Sequence, residues 1–322
     1  MSASLPPNLG LDLIRCGEAA ALAAGHWMGL ANPDEADRAA TDAMLSVLSG
    51  VNLAGRVVVG KEGRRGQEAG LAGGQIVGNG SGPEADVILD PIDGRTPLAL
   101  GHPGALAAIA AAPRGAMWCP QPAAYMEKII VDAQVAAALV PECLDAPAAW
   151  TLALVARAKD KRVRDLVVFV LARFRHAELV REIRSAGARV LERLDGEISG
   201  ALLAATGEKG VDLMMGVGGI PEGLAVACAV KALGGAMLGR LAPQDEAEAA
   251  AVREAGLDRH RILTQAELVT SQNVLFVATG ITDGPLLSGV QYERGRARSN
   301  SLLLRGEGRT RRLLYSEHLL DE

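Results

Sequence analysis

Aromatic side chains are nearly missing from this sequence: three each of Trp, Tyr and Phe make up 3% of its 322 residues. Rings cannot fill the interior, so its 38 glycines and many alanines must let backbones approach closely instead. Cysteine is scarce as well. Cys16, Cys119, Cys143 and Cys228 lie far apart, with neither C-x-x-C nor zinc spacing, and read as reduced, mostly buried thiols of a cytoplasmic protein. No apolar run reaches the roughly 18 to 20 uncharged residues that span a bilayer, so no membrane partner is expected. Met1 to Asn8 lacks the basic region and apolar core of a signal peptide. Basic charge is not in excess either. The formal net charge of -5 argues against a general nucleic-acid binder, and short clusters such as Arg309-Arg311-Arg312 read as a solvated strand face or a phosphate contact. There is no repeat of fixed period and no low-complexity linker.

What is present centres on Ala85-Asp86-Val87-Ile88-Leu89-Asp90-Pro91-Ile92-Asp93-Gly94-Arg95-Thr96. Val87 to Leu89 reads as a buried strand that stops at Asp90, because Pro91 has no N–H to continue a ladder. Asp93 follows across a turn that Gly94 can close. Two carboxylates at one strand end repel when both are ionised, so a proton or a cation belongs between them. Hard oxygen ligands suit magnesium or manganese.

Around this stretch, Leu11 to Leu30 reads as a helix. Asn32-Pro33-Asp34-Glu35 caps a second helix that runs to about Ser49, with Ala36, Ala40, Ala43 and Val47 on its apolar stripe and Asp37 just beside it. Arg56 to Val59 reads as a strand, followed by the polar loop Gly60 to Glu68. Ala105 to Ala112 and Tyr125 to Val131 read as further strands. From Cys143 helix and strand alternate, which favours a mostly parallel sheet covered on both faces, and Asn273 to Thr279, Ser301 to Arg305 and Arg311 to Tyr315 read as closing strands. The expected class is α/β with mixed sheets in two packed lobes. Residues 1–140 form one lobe and 141–322 the other, with the terminal strands packing back on the first.

Carboxylates recur where strands end, at Glu62, Asp90, Asp93 and Glu222. Gly216 to Gly223 follows the strand Val211 to Met215, and Pro221 there opens a helix whose free N–H groups favour an anion. Ligands of open α/β sheets sit beyond the carboxyl ends of strands, so these segments can converge. Arg173-Phe174-Arg175-His176 sets two guanidiniums near a helix start, suited to phosphate or simply to a charged surface. His176 reads as a hydrogen-bonding residue at that helix start, since no second His or Cys stands at ligand spacing.

Together these words resemble the class II fructose-1,6-bisphosphatases, the bacterial type that includes enzymes acting on sedoheptulose-1,7-bisphosphate. The resemblance rests on Glu35-Ala36-Asp37, Gly55 to Gly60, Asp90-Pro91-Ile92-Asp93-Gly94, Tyr125-Met126-Glu127-Lys128 and Arg173-Phe174-Arg175-His176. It continues through Asp195-Gly196-Glu197, Gly216 to Gly223, Gly239-Arg240-Leu241 and Asn273 to Thr282. It implies a layered α-β-α-β-α sugar-phosphatase fold, a homo-oligomer (dimer or tetramer), and Mg2+- or Mn2+-dependent hydrolysis of the 1-phosphate of a small sugar bisphosphate in gluconeogenesis or Calvin-type metabolism. By position it implies Asp37, Glu62, Asp90, Asp93 and Glu222 as metal ligands, with Asp93 where class II members usually carry Glu. It implies Glu62, Asp90, Asp93 and Thr96 as the catalytic set. The expected substrate contacts are Asp93, Gly94, Arg95, Tyr125, Arg173, Arg175, His176, Asp195, Glu197 and Gly218.

The chain also departs from the family. Arg173-Phe174-Arg175 replaces the usual Lys-Pro-Arg and keeps both charges. Gly60-Lys61-Glu62-Gly63-Arg64 replaces Gly-Glu-Gly-Glu with an apparent insertion, so either Glu62 reaches the metal or Lys61 takes its place. Arg95 stands where the family has the water-activating Thr, and Thr96 comes one residue late. Arg95 is expected to hold a phosphate as a substitute cation. The same departures allow a second reading, a catalytically impaired paralogue that senses a sugar phosphate, or a phosphatase of altered specificity.

Overall fold

A computed structural model of the chain describes residues 4–60 and 71–320. The helices are α1 (Leu9–Gly25), α2 (Pro33–Leu48), α3 (Arg95–Leu100), α4 (Ala148–Ala158), α5 (Ala177–Ser185), α6 (Glu197–Thr206), α7 (Ile220–Leu233), α8 (Glu246–Glu254) and α9 (Gln265–Leu268). The strands are β1 (Ala54–Val57), β2 (Ile76–Val77), β3 (Glu84–Asp93), β4 (Leu106–Pro113), β5 (Tyr125–Val131), β6 (Val167–Leu171) and β7 (Arg189–Arg193). They continue as β8 (Leu213–Gly219), β9 (Ala236–Leu241), β10 (Leu263–Thr264), β11 (Leu275–Gly280), β12 (Gln291–Glu293), β13 (Arg296–Arg305) and β14 (Thr310–Leu319).

The strands form two mixed sheets. The first runs β12-β13-β11-β4-β3-β1-β2, with β14 added to β13, and the second runs β10-β9-β5-β8-β6-β7. The sheets draw on the chain discontinuously. β5 crosses into the second sheet, and β11 to β14 belong to the first.

Three apolar cores account for the stacking. Leu13, Ala20 and Met44 of α1 and α2 pack on Val87, Leu89 and Ile109 of the first sheet. On that sheet's other face, Ile88, Ala108 and Ala110 meet Leu202 of α6 and Leu224 of α7, which also cover Met126, Ile130 and Phe169 of the second sheet. Leu152 of α4 and Ile183 of α5 close the far side against Val168, Val170 and Met215. The layers are therefore α-β-α-β-α. β3 and β4 are buried on both faces, which is why β4 and the Val87 to Leu89 part of β3 read as unbroken apolar runs rather than alternating ones.

Several elements differ from the sequence expectation. The second sheet is parallel only at β6–β7 and β6–β8, because β5 inserts between β8 and β9 and runs antiparallel to both. The strand expected to end at Met215 runs on through Gly216 to Gly219, which form the last part of β8 and pair with Tyr125 to Lys128. α1 ends at Gly25. The following chain turns away to donate from Gly29 N to Leu98 O and from Ala31 N to Ala99 O, bonds that tie it to α3. β13 and β14 extend well beyond the expected segments, in unbroken register with each other over all ten residues of each strand.

Candidate functional site

The site starts from an irregularity in β3. Asp90 pairs with Ala108 and Asp93 with Leu106, so three steps along β3 match two along β4. Three steps in a regular strand would put the two carboxylates on opposite faces. The extra residue of the bulge returns them to one face, beside Pro91, which has no ladder bond to give. That face looks towards α6 and α7. Both acids are buried, and Asp93 Oδ2 accepts a 3.0 Å bond from Ser199 N of α6. Gly94 then takes a φ of +94°, and a Cβ there would lie 3.2 Å from Ala105 Cα. A left-handed residue without a side chain is what this turn into α3 requires.

α3 and α2 supply the next wall. Asn32 caps α2 by accepting from Glu35 N at 3.3 Å, with Pro33 in the first turn. Arg95 reaches across to this helix start. Its Nη2 donates to Asp34 Oδ1 at 2.6 Å and to Pro33 O at 3.3 Å, while Nε lies 3.7 Å from Asp37 Oδ1. Asp37 is thus placed behind Arg95, at the rim of the site. Thr96 N donates to Asp195 Oδ2 at 3.3 Å, which links α3 to the second sheet.

The second sheet contributes the opposite wall. After β6, Arg173 donates to Leu194 O and, at 3.4 Å, to Asp195 Oδ1. Arg175 donates through Nε and Nη2 to Val217 O at 3.2 and 3.0 Å, and its guanidinium sits 5.4 Å over the Tyr125 ring. Glu197, at the start of α6, is held by the Lys128 ammonium and accepts from Gly219 N at 3.2 Å. Lys128 Nζ also donates to Gly219 O at 3.1 Å. Gly218 is required here because a Cβ would fall 1.8 Å from Glu197 Oε2. Glu222 stands in the first turn of α7, where the helix dipole favours a negative charge.

These walls enclose a cavity of about 380 Å³ lined by Asp34, Asp90, Asp93, Gly94, Arg95, Thr96, Tyr125, Arg173, Arg175, Asp195, Glu197, Gly219 and Glu222, among others. The structure thus brings together most of the residues singled out from the sequence. Gly218 lies one residue behind the lining Gly219, and Glu62 lies outside the described residues. His176 takes a different part. Its buried ring donates from Nδ1 to Leu171 O at 2.6 Å and accepts at Nε2 from Val217 N at 2.8 Å, so both nitrogens are spent on main chain.

Burial pushes the His176 pKa below its ordinary 6.5, with Arg175 and Arg173 adding to the shift and the bond to Leu171 O opposing it. A depressed folded pKa gives stability that is present above the unfolded value and lost as pH falls. Protonation would also set an N–H at Nε2 against the Val217 N–H. The unfolding midpoint should therefore fall as pH drops from about 7 to 5, through the ordinary imidazole range. Thermal unfolding across that window, with His176→Gln alongside, checks this. An equally steep fall in the variant would assign the pH dependence to other groups.

Asp93 marks the charge balance of the site. Its pKa is pushed well above the ordinary carboxyl value of 3.8, first by burial and then by Asp90, Asp195 and Glu222, against the bond from Ser199. Acids from the first sheet, from the β7–α6 connection and from α7 therefore act on one point. Among the described residues, no three His, Cys, Asp or Glu side chains converge tightly enough to ligate an ion on their own. The donor set nevertheless fits a hard divalent cation. It is all oxygen, it is partly buried, and its mutual repulsion is relieved by positive charge.

Two contributors were not legible as functional beforehand. Asp34 reads in sequence as an N-terminal helix acid, yet it anchors Arg95. Lys128 sits on the inward alternation Met126-Lys128-Ile130 of β5, and that period-two pattern already marks it as a lysine directed into the core.

A family model described as bacterial fructose-1,6-bisphosphatase, glpX-encoded, matches residues 7–318. The chain is 36% identical to the class 2 fructose-1,6-bisphosphatase of Haemophilus influenzae, covering 98% of this chain and 97% of that protein. It is 35% identical to fructose-1,6-bisphosphatase 1 class 2 of Escherichia coli K12, over 98% and 96% respectively.

Proposed function

Since the chain belongs to the glpX-encoded bacterial fructose-1,6-bisphosphatases, we propose that it hydrolyses the 1-phosphate of fructose-1,6-bisphosphate, with Mg2+ or Mn2+, in gluconeogenic sugar metabolism. The observation that carries this reading is the raised proton affinity of Asp93, caused in part by Asp90, Asp195 and Glu222 around one cavity whose opposite wall carries Arg173 and Arg175. Acid and guanidinium face each other across a space suited to a small doubly phosphorylated sugar.

Asp90, Asp93 and Glu222 would hold the divalent ions, with Asp37 and Glu62 as the further ligands that the family pattern implies. When bound, such ions polarise a phosphoryl oxygen and lower the pKa of a water. The chain's own residues perform the rest. Asp90 and Asp93, fixed on one face by the bulge, orient the attacking water and take up its proton. Thr96 and Gly94 border the phosphate to be cleaved. Arg173 and Arg175 hold the second phosphate through paired N–H donors, and Tyr125 with Asp195 fixes the sugar between them. Arg95 is committed to Asp34 and Asp37, so it acts first as a counter-charge for the acidic rim and borders the substrate with its remaining face. Glu197 shapes the floor from beneath Gly219. His176 holds the chain that positions Arg175 rather than touching substrate.

No helix among the described residues is long and apolar enough to cross a membrane. Phosphate release from fructose-1,6-bisphosphate, measured with Mn2+ or Mg2+ and with EDTA, tests the proposal. Release that needs the cation is expected. No release with either ion, or release that EDTA leaves unchanged, would remove it. Sedoheptulose-1,7-bisphosphate in the same assay decides whether the longer sugar is also accepted.

A further inference from the structure

The outer edge of the first sheet is β14. It pairs with β13 from Thr310, opposite Arg305, to Leu319, opposite Arg296, and with no other strand among the described residues. Proteins usually guard such an edge with lysine, proline, a bulge or a very short strand. β14 has ten residues, no lysine, no proline and unbroken register. It also presents apolar side chains: Leu313 is 49% exposed, Tyr315 78% and Leu319 87%.

We propose that β14 pairs antiparallel with β14 of a second copy of this chain across a two-fold axis, so that the first sheets of two subunits become continuous. The strand's own sequence selects the register. Residues opposite one another must lie on the same face, which restricts the axis to a residue paired with itself. Centred on Leu314, the pairing sets Arg311 opposite the partner subunit's Glu317 and Glu317 opposite the partner subunit's Arg311. Leu313 then meets the partner subunit's Tyr315, and Tyr315 meets the partner subunit's Leu313. On the other face, Arg312 lies opposite Ser316 and Thr310 opposite His318.

Neighbouring registers lose this match. Centring on Tyr315 puts Leu313 against Glu317 and Arg312 against His318. Centring on Leu313 leaves Glu317 beyond the start of the facing strand. Only the Leu314 register joins opposite charges and covers the exposed Leu313 and Tyr315 together. The charged groups are already oriented by neighbours in their own chain. Arg311 is held by Glu208 at 2.6 and 3.2 Å, and Glu317 by Arg296 and Arg298 at 3.3 Å each. Both side chains remain partly exposed, at 34% and 47%, and keep capacity for a further partner.

Sedimentation equilibrium of the full chain tests this by charge reversal. The parent should be a dimer. Arg311→Glu and Glu317→Arg should each raise the dimer dissociation constant by about tenfold or more, since each sets like charges opposite one another twice across the axis. The double variant Arg311→Glu/Glu317→Arg should return it to within about threefold of the parent. Circular dichroism and the unfolding midpoint verify that each variant keeps its fold. A monomeric parent, a dimer indifferent to both single reversals, or a double variant no better than the singles would each overturn the proposal. Rescue by the double reversal is the outcome that a merely destabilised strand could not produce.

Discussion

Asp93→Asn should lower cation-dependent phosphate release by about a hundredfold or more and, in the same protein, raise the unfolding midpoint measured in EDTA. The two effects have opposite signs because one charge serves both. The carboxylate helps gather the cation and direct the water, yet without the cation it is a buried acid beside Asp90, Asp195 and Glu222. Asparagine keeps the shape and can still accept from Ser199 N, so the change removes charge with little loss of packing.

The pH dependence carries its own sign. The folded chain holds the Asp93 proton more tightly than the unfolded chain, whose carboxyl titrates near 3.8. Stability from this group is therefore full below the unfolded value and lost as pH rises through the raised one. In EDTA the parent's midpoint should decline over that rise, and the decline should flatten in Asp93→Asn. A variant less stable than the parent at every pH would mean that repulsion among the acids does not govern the site.

Lys128→Met should cost about 3–5 kcal/mol of unfolding free energy, read by urea titration. Lys128 is 1% exposed and its partner Glu197 6%. Removing the ammonium leaves a carboxylate buried between α6 and β8 without its counter-charge. It also frees Gly219 O, which precedes the turn that carries Glu222. Most of the cost should disappear in Lys128→Met/Glu197→Gln, because a neutral amide no longer needs the counter-charge. If the double variant is as unstable as the single, the lysine contributes through its volume, and the pairing is secondary.

How much could be read in advance follows from which signals are local. Strand-end acids, the cap at Asn32 and the alternation of helix and strand depend on neighbours in sequence, and they pointed to the acids of the cavity and to a mixed α/β class, whereas the layered order came from the family resemblance. The β3 bulge depends on register against β4. The letters Asp-Pro-Ile-Asp gave a turn, whereas the structure continues the strand and uses the irregularity to place both acids on one face. Gly216 to Gly219 was expected to follow a strand ending at Met215. Here the residues are strand because they pair with Tyr125 to Lys128 of β5, and glycine is needed at 216 and 218 because His176 and Glu197 fill the space a Cβ would take. Arg95 was expected to meet phosphate. Nothing in its neighbours announced that residues 34 and 37 would claim it first.

The separation of these acids along the chain has a consequence for assembly. Asp90 and Asp93, Asp195 and Glu222 are brought together only by the packing of both sheets through α6 and α7, so their mutual repulsion is a cost of the completed fold rather than of any one local element. The apolar layers must supply enough driving force to complete the protein before any counter-ion arrives. The cleft is then a local debit written into a finished fold, and whatever cation enters it settles on a scaffold it had no part in building.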